Sequence, residues 1–390
     1  MQLNDHYLIA NCSPFVLRTI VNWNSPLLPI MALRKAIEDI VAWRKLGRES
    51  RALFQGFLPS GGRSYLCVLK KPINTPAGQF SAIKLKAVGN TEPKDPHPPK
   101  LDKSFINNLF KIIVEENGSI AVGPIHSQPL YGRTMDRVTA ENEFLRLVNK
   151  KKLPAPYALG GGEYPDLMFQ GQPLGFNILA LKEWGADNRR LGNCFFIDHQ
   201  AANDDQLGYS FEQAGKVQRR YNDEGLIPSD CHVFNFAITD NGEVILNDFG
   251  SGKNKDDLTH PQTAIYQLLD LARFIFSVYL LRGEPAGDRF LVHARPLSAF
   301  LKGYFGSDVF LRYKKEIGAP EAMLKRLQKP RIRSGGEDKE NFRRILWYCC
   351  TQLSIPLQEI LVAEGNTYLL TKKQWAEKYD ELVRGLSKII

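Results

Sequence analysis

The chain has 390 residues, a formal net charge of +9 and a pI of about 9.1, with 43% hydrophobic and 24% charged residues. This composition is ordinary for a soluble globular protein, and the length suffices for two or three domains. The six cysteines include no Cys-x-x-Cys pair, which argues against a disulfide scaffold and favours a reduced, intracellular chain. The positive charge favours an acidic partner surface, although a basic protein without such a partner has the same charge.

The N-terminal part of the sequence predicts neither a secretory signal nor a membrane span. Asn4 and Asp5 stand where a signal peptide has basic residues. The apolar stretch between residues 15 and 33 is interrupted by Arg18 and by prolines, so it cannot cross a bilayer. We therefore expect a cytoplasmic protein with no transmembrane segment. Export to a host or neighbouring cell by a route that leaves no classical signal stays open.

The first half of the chain predicts β-structure behind a helical N-terminal extension at residues 1–50. Within that extension, apolar residues between 28 and 46 recur near helical spacing. Beyond it, β-prone runs alternate with turn residues. The predicted elements are strands at 64–69 and 80–85, a loop at 89–104, a hairpin at 110–125, a helix at 137–150, a flexible glycine loop at 160–162 and a buried strand at 176–181.

The second half, after about residue 186, predicts mostly helices. One helix is expected at 211–225 and a nearly all-apolar, buried one at 266–281, with a β-hairpin at 233–249 between them. A strand-rich part followed by a helix-rich part indicates a two-lobed α+β protein.

One stretch of the second half combines three side chains at a specific spacing. Asp230 lies in the loop after the 211–225 helix, Asn235 follows it closely, and the predicted hairpin leads from Asn235 to Asp248. Amide and carboxylate oxygens suit Mg²⁺, and a loop carboxylate can accept the proton of an attacking hydroxyl. Isolated residues of this kind are ordinary turn residues, but the continuation Gly-x-Val-x-Leu-x-Asp-Phe-Gly favours the functional interpretation.

This stretch resembles the catalytic loop and Asp-Phe-Gly segment of the protein-kinase superfamily. The resemblance implies an α+β, two-lobed protein-kinase-like fold. Its strand-rich N-lobe would span 51–185 with an insertion at about 89–135, and its helical C-lobe with a helical C-terminal extension would span 186–390. ATP and Mg²⁺ would be the cofactors, with the nucleotide between the lobes and the metal on Asn235 and Asp248.

The resemblance also implies roles for residues outside this stretch. Lys84, in Ser-Ala-Ile-Lys-Leu, resembles the third-strand lysine that holds the α- and β-phosphates. Glu141 resembles the glutamate that pairs with this lysine, and Glu143 is the alternative. Asp270 resembles the buried helix aspartate that anchors the catalytic loop, since a buried carboxylate needs hydrogen-bond donors.

Nucleotide-binding residues are implied less directly. Gly61 and Gly62 could let backbone amides approach phosphates, but they do not complete a Gly-x-Gly-x-x-Gly motif, and a plain turn is the alternative. Glu183 and Trp184 follow an apolar strand and stand at the adenine-binding hinge by position alone.

The surroundings of Asp230 depart from the protein-kinase pattern. The usual His-Arg-Asp is here Pro228-Ser229-Asp230, so we expect no switch that depends on a phosphorylated activation loop. His232 stands where protein kinases usually have Lys, and Asp-x-His-x-x-Asn is similar to the aminoglycoside and choline phosphotransferase branch. His232 would contact the transferred phosphate or make a structural hydrogen bond.

The function implied is ATP-dependent transfer of the γ-phosphate to a hydroxyl. Asp230, Lys84, Glu141 and His232 would be the catalytic residues. A Ser or Thr of a protein is the preferred acceptor, because the basic extensions offer recognition surface. A small-molecule alcohol as acceptor, transfer of AMP and a non-catalytic pseudokinase stay open as alternatives.

Overall fold

The computed structural model describes most of the residues between 57 and 387 and one short segment before them. The described ranges are 16–18, 57–60, 64–87, 111–123, 132–169, 171–183, 189–192, 204–281, 294–317 and 335–387. The helix expected at 28–46 and the loop expected at 89–104 lie outside these ranges.

The structure is mixed α/β, with antiparallel strand pairs and helices. Its strands are β1 (Val16–Arg18), β2 (Phe57–Ser60), β3 (Ser64–Thr75), β4 (Gly78–Lys86), β5 (Lys111–Val114), β6 (Ile120–Gly123), β7 (Arg133–Thr134), β8 (Tyr157–Phe169), β9 (Gln172–Leu181), β10 (Leu226–Ile227), β11 (Phe236–Ile238), β12 (Val244–Leu246) and β13 (Lys253–Asn254). Its α-helices are α1 (Met135–Lys150), α2 (Asp204–Asp223), α3 (His260–Leu281), α4 (Ala294–Phe305), α5 (Ser307–Arg312), α6 (Lys314–Ile317), α7 (Gly335–Tyr348), α8 (Ser354–Ala363) and α9 (Lys372–Ser387).

The chain divides into two compact units. Unit 1 contains Met1–Asp102 and Ser127–Asn188, and unit 2 contains Lys103–His126 and Arg189–Ile390. The β5–β6 hairpin, which the sequence predicts at 110–125, therefore belongs to unit 2, although the strands before and after it along the chain belong to unit 1.

Unit 1 is built on an antiparallel sheet with the strand order β1-β8-β9-β4-β3-β2, to which β7 adds by pairing with β9. The β3–β4 hairpin forms at the expected turn, where the Thr75 hydroxyl oxygen accepts a hydrogen bond from the backbone N–H of Ala77 at 3.1 Å. Helix α1 packs on β8 and β9, and its fully buried Val138 and Leu145 contribute to the apolar core. Burial of these faces is the main stabilising contribution in unit 1.

The glycine run at 160–162 is part of strand β8, so the prediction of a flexible loop there is wrong. A Cβ atom on Gly162 would lie 2.1 Å from the ring of Phe176, and one on Gly161 would lie 2.7 Å from the Phe176 carbonyl oxygen. The glycines therefore make room for a buried aromatic ring on the neighbouring strand β9, which is a packing role rather than a turn role.

Unit 2 has a helical core that surrounds the apolar helix α3. Phe274 of α3 stacks on Phe300 of α4 with ring centroids 3.5 Å apart. Helices α2 and α4 cross closely, since a Cβ on Gly303 would lie 2.1 Å from the Glu212 carbonyl oxygen. The helices predicted at 211–225 and 266–281 are confirmed as parts of α2 and α3, and the hairpin predicted at 233–249 as β11–β12.

The β5–β6 hairpin is fastened to the start of α3. The Gln262 amide donates to the Val114 carbonyl at 2.8 Å, and the Thr259 hydroxyl donates to the Glu116 carbonyl at 2.6 Å. The Val114 backbone N–H donates to the Tyr266 hydroxyl at 3.3 Å. Three polar side chains of unit 2 thus satisfy backbone groups of the hairpin.

One helical run, Glu340–Ala363, is long and apolar enough to cross a membrane by length and composition, with a hydropathy of 1.2. Of the 18 most apolar consecutive residues in this run, 61% are buried inside the structure. Buried core helices of soluble proteins have the same properties, so this run is weak evidence for a span.

Candidate active site

The residue before Asp230 has a backbone conformation that is uncommon for a residue with a side chain. Ser229 has φ 60°, in the left-handed region. Its backbone N–H donates to Asp270 Oδ2 at 2.9 Å, and its carbonyl accepts from Arg273 at 2.5 Å. Both backbone polar groups of Ser229 are therefore held by helix α3, which offsets the cost of this conformation.

One polar stripe of the apolar helix α3 holds the loop that contains Asp230. Asp270, Arg273 and Ser277 are spaced three and four positions apart, so they lie on one helix face. The Ser277 hydroxyl accepts from the backbone N–H of Val233 at 3.1 Å. The anchoring role predicted for Asp270 is confirmed, whereas Arg273 and Ser277 are additional anchors. Their helical spacing from Asp270 is the sequence signal that could have found them.

A second contact of the same loop comes from the short segment 189–192. Arg190 donates to the Phe234 carbonyl at 3.1 Å, and the backbone N–H of Gly192 donates to the Val233 carbonyl at 3.1 Å. A Cβ on Gly192 would lie 2.6 Å from the Phe234 ring, so glycine permits this close approach. The loop backbone is thus held from two sides within unit 2.

Asp230 and His232 are neighbours in space as well as in sequence. His232 Nε2 lies 4.0 Å from Asp230 Oδ1, and both side chains are mostly buried. The other ring nitrogen, Nδ1, accepts a hydrogen bond from the backbone N–H of Phe234 at 3.2 Å. Burial lowers the pKa of His232, and the nearby carboxylates of Asp230 and Asp248 oppose this shift. The ring is therefore neutral at neutral pH.

Asn235 and Asp248 lie at the same end of the β11–β12 hairpin. Asn235 precedes β11, Asp248 follows β12 after one residue, and the Asn247 N–H donates to the Asn235 carbonyl at 2.9 Å. The Asn235 amide N–H donates to the Asp230 carbonyl at 2.8 Å, which turns its Oδ1 away from the loop backbone. One amide oxygen and one carboxylate are a small donor set of the kind that suits Mg²⁺ bound together with phosphate oxygens.

Within the described ranges there is no cluster of three His, Cys, Asp or Glu side chains that could hold a metal ion.

The segment after Asp248 is fixed to the rest of unit 2. Phe249 is buried and stacks on Tyr221 of α2, with ring centroids 5.8 Å apart. Strand β13 pairs with β10, and Lys255 Nζ forms an ion pair with Glu364 at 2.6 Å. The backbone N–H of Lys255 also donates to the Gly225 carbonyl at 2.7 Å. These contacts hold the segment in place through the protein's own residues, without an added phosphate group.

In unit 1, the predicted glutamate has a different partner from the one expected. Glu141 is fully buried, and its Oε1 forms an ion pair with Lys86 Nζ at 2.5 Å, while its Oε2 is paired with Arg133. The prediction that Glu141 pairs with Lys84 is therefore corrected, because Lys86 and Arg133 take both carboxylate oxygens.

Sheet register places the two cations that pair with Glu141 on one face of the sheet. Lys86 of β4 lies opposite Asn177 of β9, and Arg133 of β7 lies opposite Gly175 of the same strand. Positions two apart along a strand share a face, so both cations reach the face that α1 covers. Lys84, two residues before Lys86, lies on this face as well and is buried.

The residues expected to contact the nucleotide are only partly described. Gly61, Gly62 and Trp184 lie outside the described ranges. Glu183 is half-buried and lies two residues after the end of β9. The strand end before it is fixed, because the Lys182 carbonyl accepts from the Ser81 hydroxyl at 2.6 Å.

Comparison with known proteins shows a distant similarity to solved structures. No family model matches the chain, and no curated protein matches it. Among solved structures, the chain is similar to a divergent kinase that lacks the glycine-rich loop and regulates membrane ultrastructure of the Toxoplasma parasitophorous vacuole. The two are 14% identical over 80% of this chain and 87% of that chain, with a TM-score of 0.27.

We predict that Glu141→Ala lowers the free energy of unfolding by about 3–5 kcal/mol, because it leaves two mostly buried cations without their carboxylate. Glu143→Ala, at an exposed position of the same helix, is the matched control and should change stability by less than about 0.5 kcal/mol. Chemical denaturation of both variants measures the difference. Equal effects of the two substitutions would contradict the ion-pair assignment.

A second prediction concerns Asp270. Burial raises the pKa of its carboxyl to about 6, despite the opposing charge of Arg273. The folded state retains a proton that the unfolded chain has lost above about pH 4. The stabilisation that this proton gives the folded state is therefore complete below about pH 4. It is lost as the pH rises through 6, and the free energy of unfolding falls by about 3 kcal/mol.

Asp270→Asn should remove this pH dependence while keeping an oxygen that can accept the Ser229 N–H. Unfolding free energies measured between pH 4 and 7.5 should show the variant gaining stability relative to the wild type as the pH rises. Asp308→Asn, at an exposed position, is the control. A difference between wild type and Asp270→Asn that is constant with pH would refute the prediction.

Proposed function

We propose that this protein is an ATP-dependent phosphotransferase with a protein-kinase-like fold, which moves the γ-phosphate of ATP to a hydroxyl. The observation that carries the proposal is the loop of unit 2. Asp230 stands on a backbone fixed by α3, and the Asn235 side chain is bonded to the same loop. Asp248 lies at the end of the hairpin that begins after Asn235. Phosphoryl transfer requires positioning and charge stabilisation more than covalent chemistry, and this arrangement supplies the positioning.

Each residue of the loop has a defined part in this proposal. Asp230 orients the acceptor hydroxyl and accepts its proton. Asn235 and Asp248 would hold Mg²⁺, which when bound neutralises charge on the phosphates. The fixed segment after Asp248 supports an enzyme that needs no phosphorylation to order that segment, in agreement with the missing arginine before Asp230.

In unit 1 we propose that Lys84 holds the α- and β-phosphates of ATP. Lys84 is buried on β4, on the same sheet face as Lys86, and its Ser-Ala-Ile-Lys-Leu run resembles the third-strand lysine motif. Glu141 forms an ion pair with Lys86, two residues further along the strand, and thereby fixes the end of β4. Gly61, Gly62, Glu183 and Trp184 are proposed to contact the nucleotide.

We propose a Ser or Thr of a protein as the acceptor, because the net charge of +9 favours an acidic partner surface. A small-molecule alcohol is the alternative acceptor. Adenylate transfer and nucleotide binding without turnover are the alternatives to phosphotransfer. The first gives an adenylated product, and the second gives no product.

We predict that Asp230→Ala lowers turnover by about 10²–10⁴-fold and leaves thermal stabilisation by Mg²⁺ and ATP intact, because Asp230 acts on the acceptor. Asp248→Ala should remove both the turnover and the Mg²⁺-dependent stabilisation. Asp240→Ala, in the exposed turn at the other end of the hairpin, should change neither. The measurement combines thermal unfolding with mass spectrometry of the products.

Three results of this experiment would contradict the proposal. Products that carry adenylate indicate AMP transfer, and binding without product in the wild type indicates a pseudokinase. An Asp230→Ala variant that turns over at the wild-type rate removes the role of Asp230.

A further prediction separates the two lysines of β4. Lys84→Met should lower kcat/KM for ATP by about 10²-fold, because it removes a cation from the phosphates. Lys86→Met should mainly lower the free energy of unfolding, because it removes one of two partners of the buried Glu141. Steady-state kinetics and chemical denaturation of both variants decide the point. If kcat/KM for ATP fell in Lys86→Met and not in Lys84→Met, Lys86 would be the lysine that contacts the phosphates.

A further inference from the structure

The two nitrogens of the His232 ring have different surroundings, and these surroundings define its tautomer. Nδ1 accepts a hydrogen bond from the backbone N–H of Phe234 at 3.2 Å. A ring nitrogen that accepts a hydrogen bond carries no proton, so the proton of the neutral ring is on Nε2. The bond that His232 makes to its own loop therefore leaves an N–H donor on the opposite side of the ring.

That donor faces the carboxylate of Asp230. Nε2 lies 4.0 Å from Asp230 Oδ1, about 1 Å beyond hydrogen-bond length. Oδ1 is buried and has no hydrogen-bond partner in the part of the chain that the structure describes. A buried carboxylate oxygen without a donor is costly, so a neighbouring N–H is the group that would satisfy it.

The other fixed contacts of this loop act on its backbone. Arg273 donates to the Ser229 carbonyl, Arg190 to the Phe234 carbonyl, and Asn235 to the carbonyl of Asp230. These bonds set the position of the Asp230 backbone but leave the rotation of its carboxylate undetermined. Catalytic hydrogen bonds are often long in a protein without substrate and shorten in the complex.

We propose that His232 is a positioning residue that orients the Asp230 carboxylate through Nε2–H. The hydrogen bond to Oδ1 turns Oδ2 toward the acceptor hydroxyl. Oδ2 takes the hydroxyl proton as the acceptor oxygen bonds to the γ-phosphorus and the bond from that phosphorus to ADP breaks. His232 keeps its own proton throughout. The catalytic consequence rests on the proposed phosphotransfer, whereas the contact between the two side chains does not.

Two substitutions separate this role from the alternatives, because each keeps a polar group at the position of only one of the two ring nitrogens. An asparagine places its amide near Nδ1 and can still accept the Phe234 N–H, whereas a glutamine reaches the position of Nε2 and can donate to Asp230. We expect His232→Gln to retain kcat within about 5-fold and His232→Asn to lose about 10²-fold, with KM for ATP unchanged in both.

The alternatives give different results in the same experiment. If His232 serves only the turn through Nδ1, His232→Asn keeps activity and stability while His232→Gln loses both. If His232 contacts the transferred phosphate, both variants weaken the binding of ATP measured by titration. Either result overturns the proposal. Thermal unfolding of both variants shows whether a loss of activity is a loss of fold.

A measurement on the ring itself does not depend on turnover. In protein labelled with ¹⁵N-histidine, the ring nitrogens of His232 should have the shifts of the Nε2–H tautomer at neutral pH. The Nε2 signal should move in Asp230→Ala and stay unchanged in Asp240→Ala. An Nδ1–H tautomer, or a ring that does not respond to loss of Asp230, overturns the contact. If the wild type transfers no phosphate, the proposed function is wrong, and the ring signals still decide the contact.

Discussion

The site in unit 2 depends on one constraint: a buried helix supplies polar side chains to a loop that has no regular structure. Asp270, Arg273 and Ser277 satisfy backbone groups of residues 229–233, and without them those groups would be buried without partners. The helix that holds the loop packs its Phe274 ring against Phe211, Phe236 and Phe300. The precision of the site is therefore inherited from the core of unit 2.

Both units place a carboxylate inside the structure and surround it with donors. Glu141 is held by Lys86 and Arg133, and Asp270 is held by Arg273 and a backbone N–H. Such an arrangement contributes little net stability but strongly disfavours other packings, since any other packing leaves a charge unpaired. Each buried carboxylate thus defines geometry near residues that are proposed to act on ATP.

The sequence predicts many of the regular elements, including the β11–β12 hairpin between Asn235 and Asp248, because periodicity and turn residues are local properties. It cannot choose between Lys84 and Lys86 for Glu141, since residues two apart share a strand face and the choice depends on where α1 crosses the sheet. The glycines at 160–162 are misinterpreted for the same reason. Their purpose is the Phe176 ring on another strand, which no local pattern reveals.

The β5–β6 hairpin has a consequence for how the protein can be divided. A fragment that begins at Arg189 would contain all the helices that the structure describes in unit 2, but it would leave Gln262 and Tyr266 without their hairpin partners. Unit 1 is likewise discontinuous, because its residues stand on both sides of the hairpin along the chain. A ribosome therefore completes unit 1 only after it has made the first piece of unit 2, and that piece must wait for the residues after 188 before it can pack on α3.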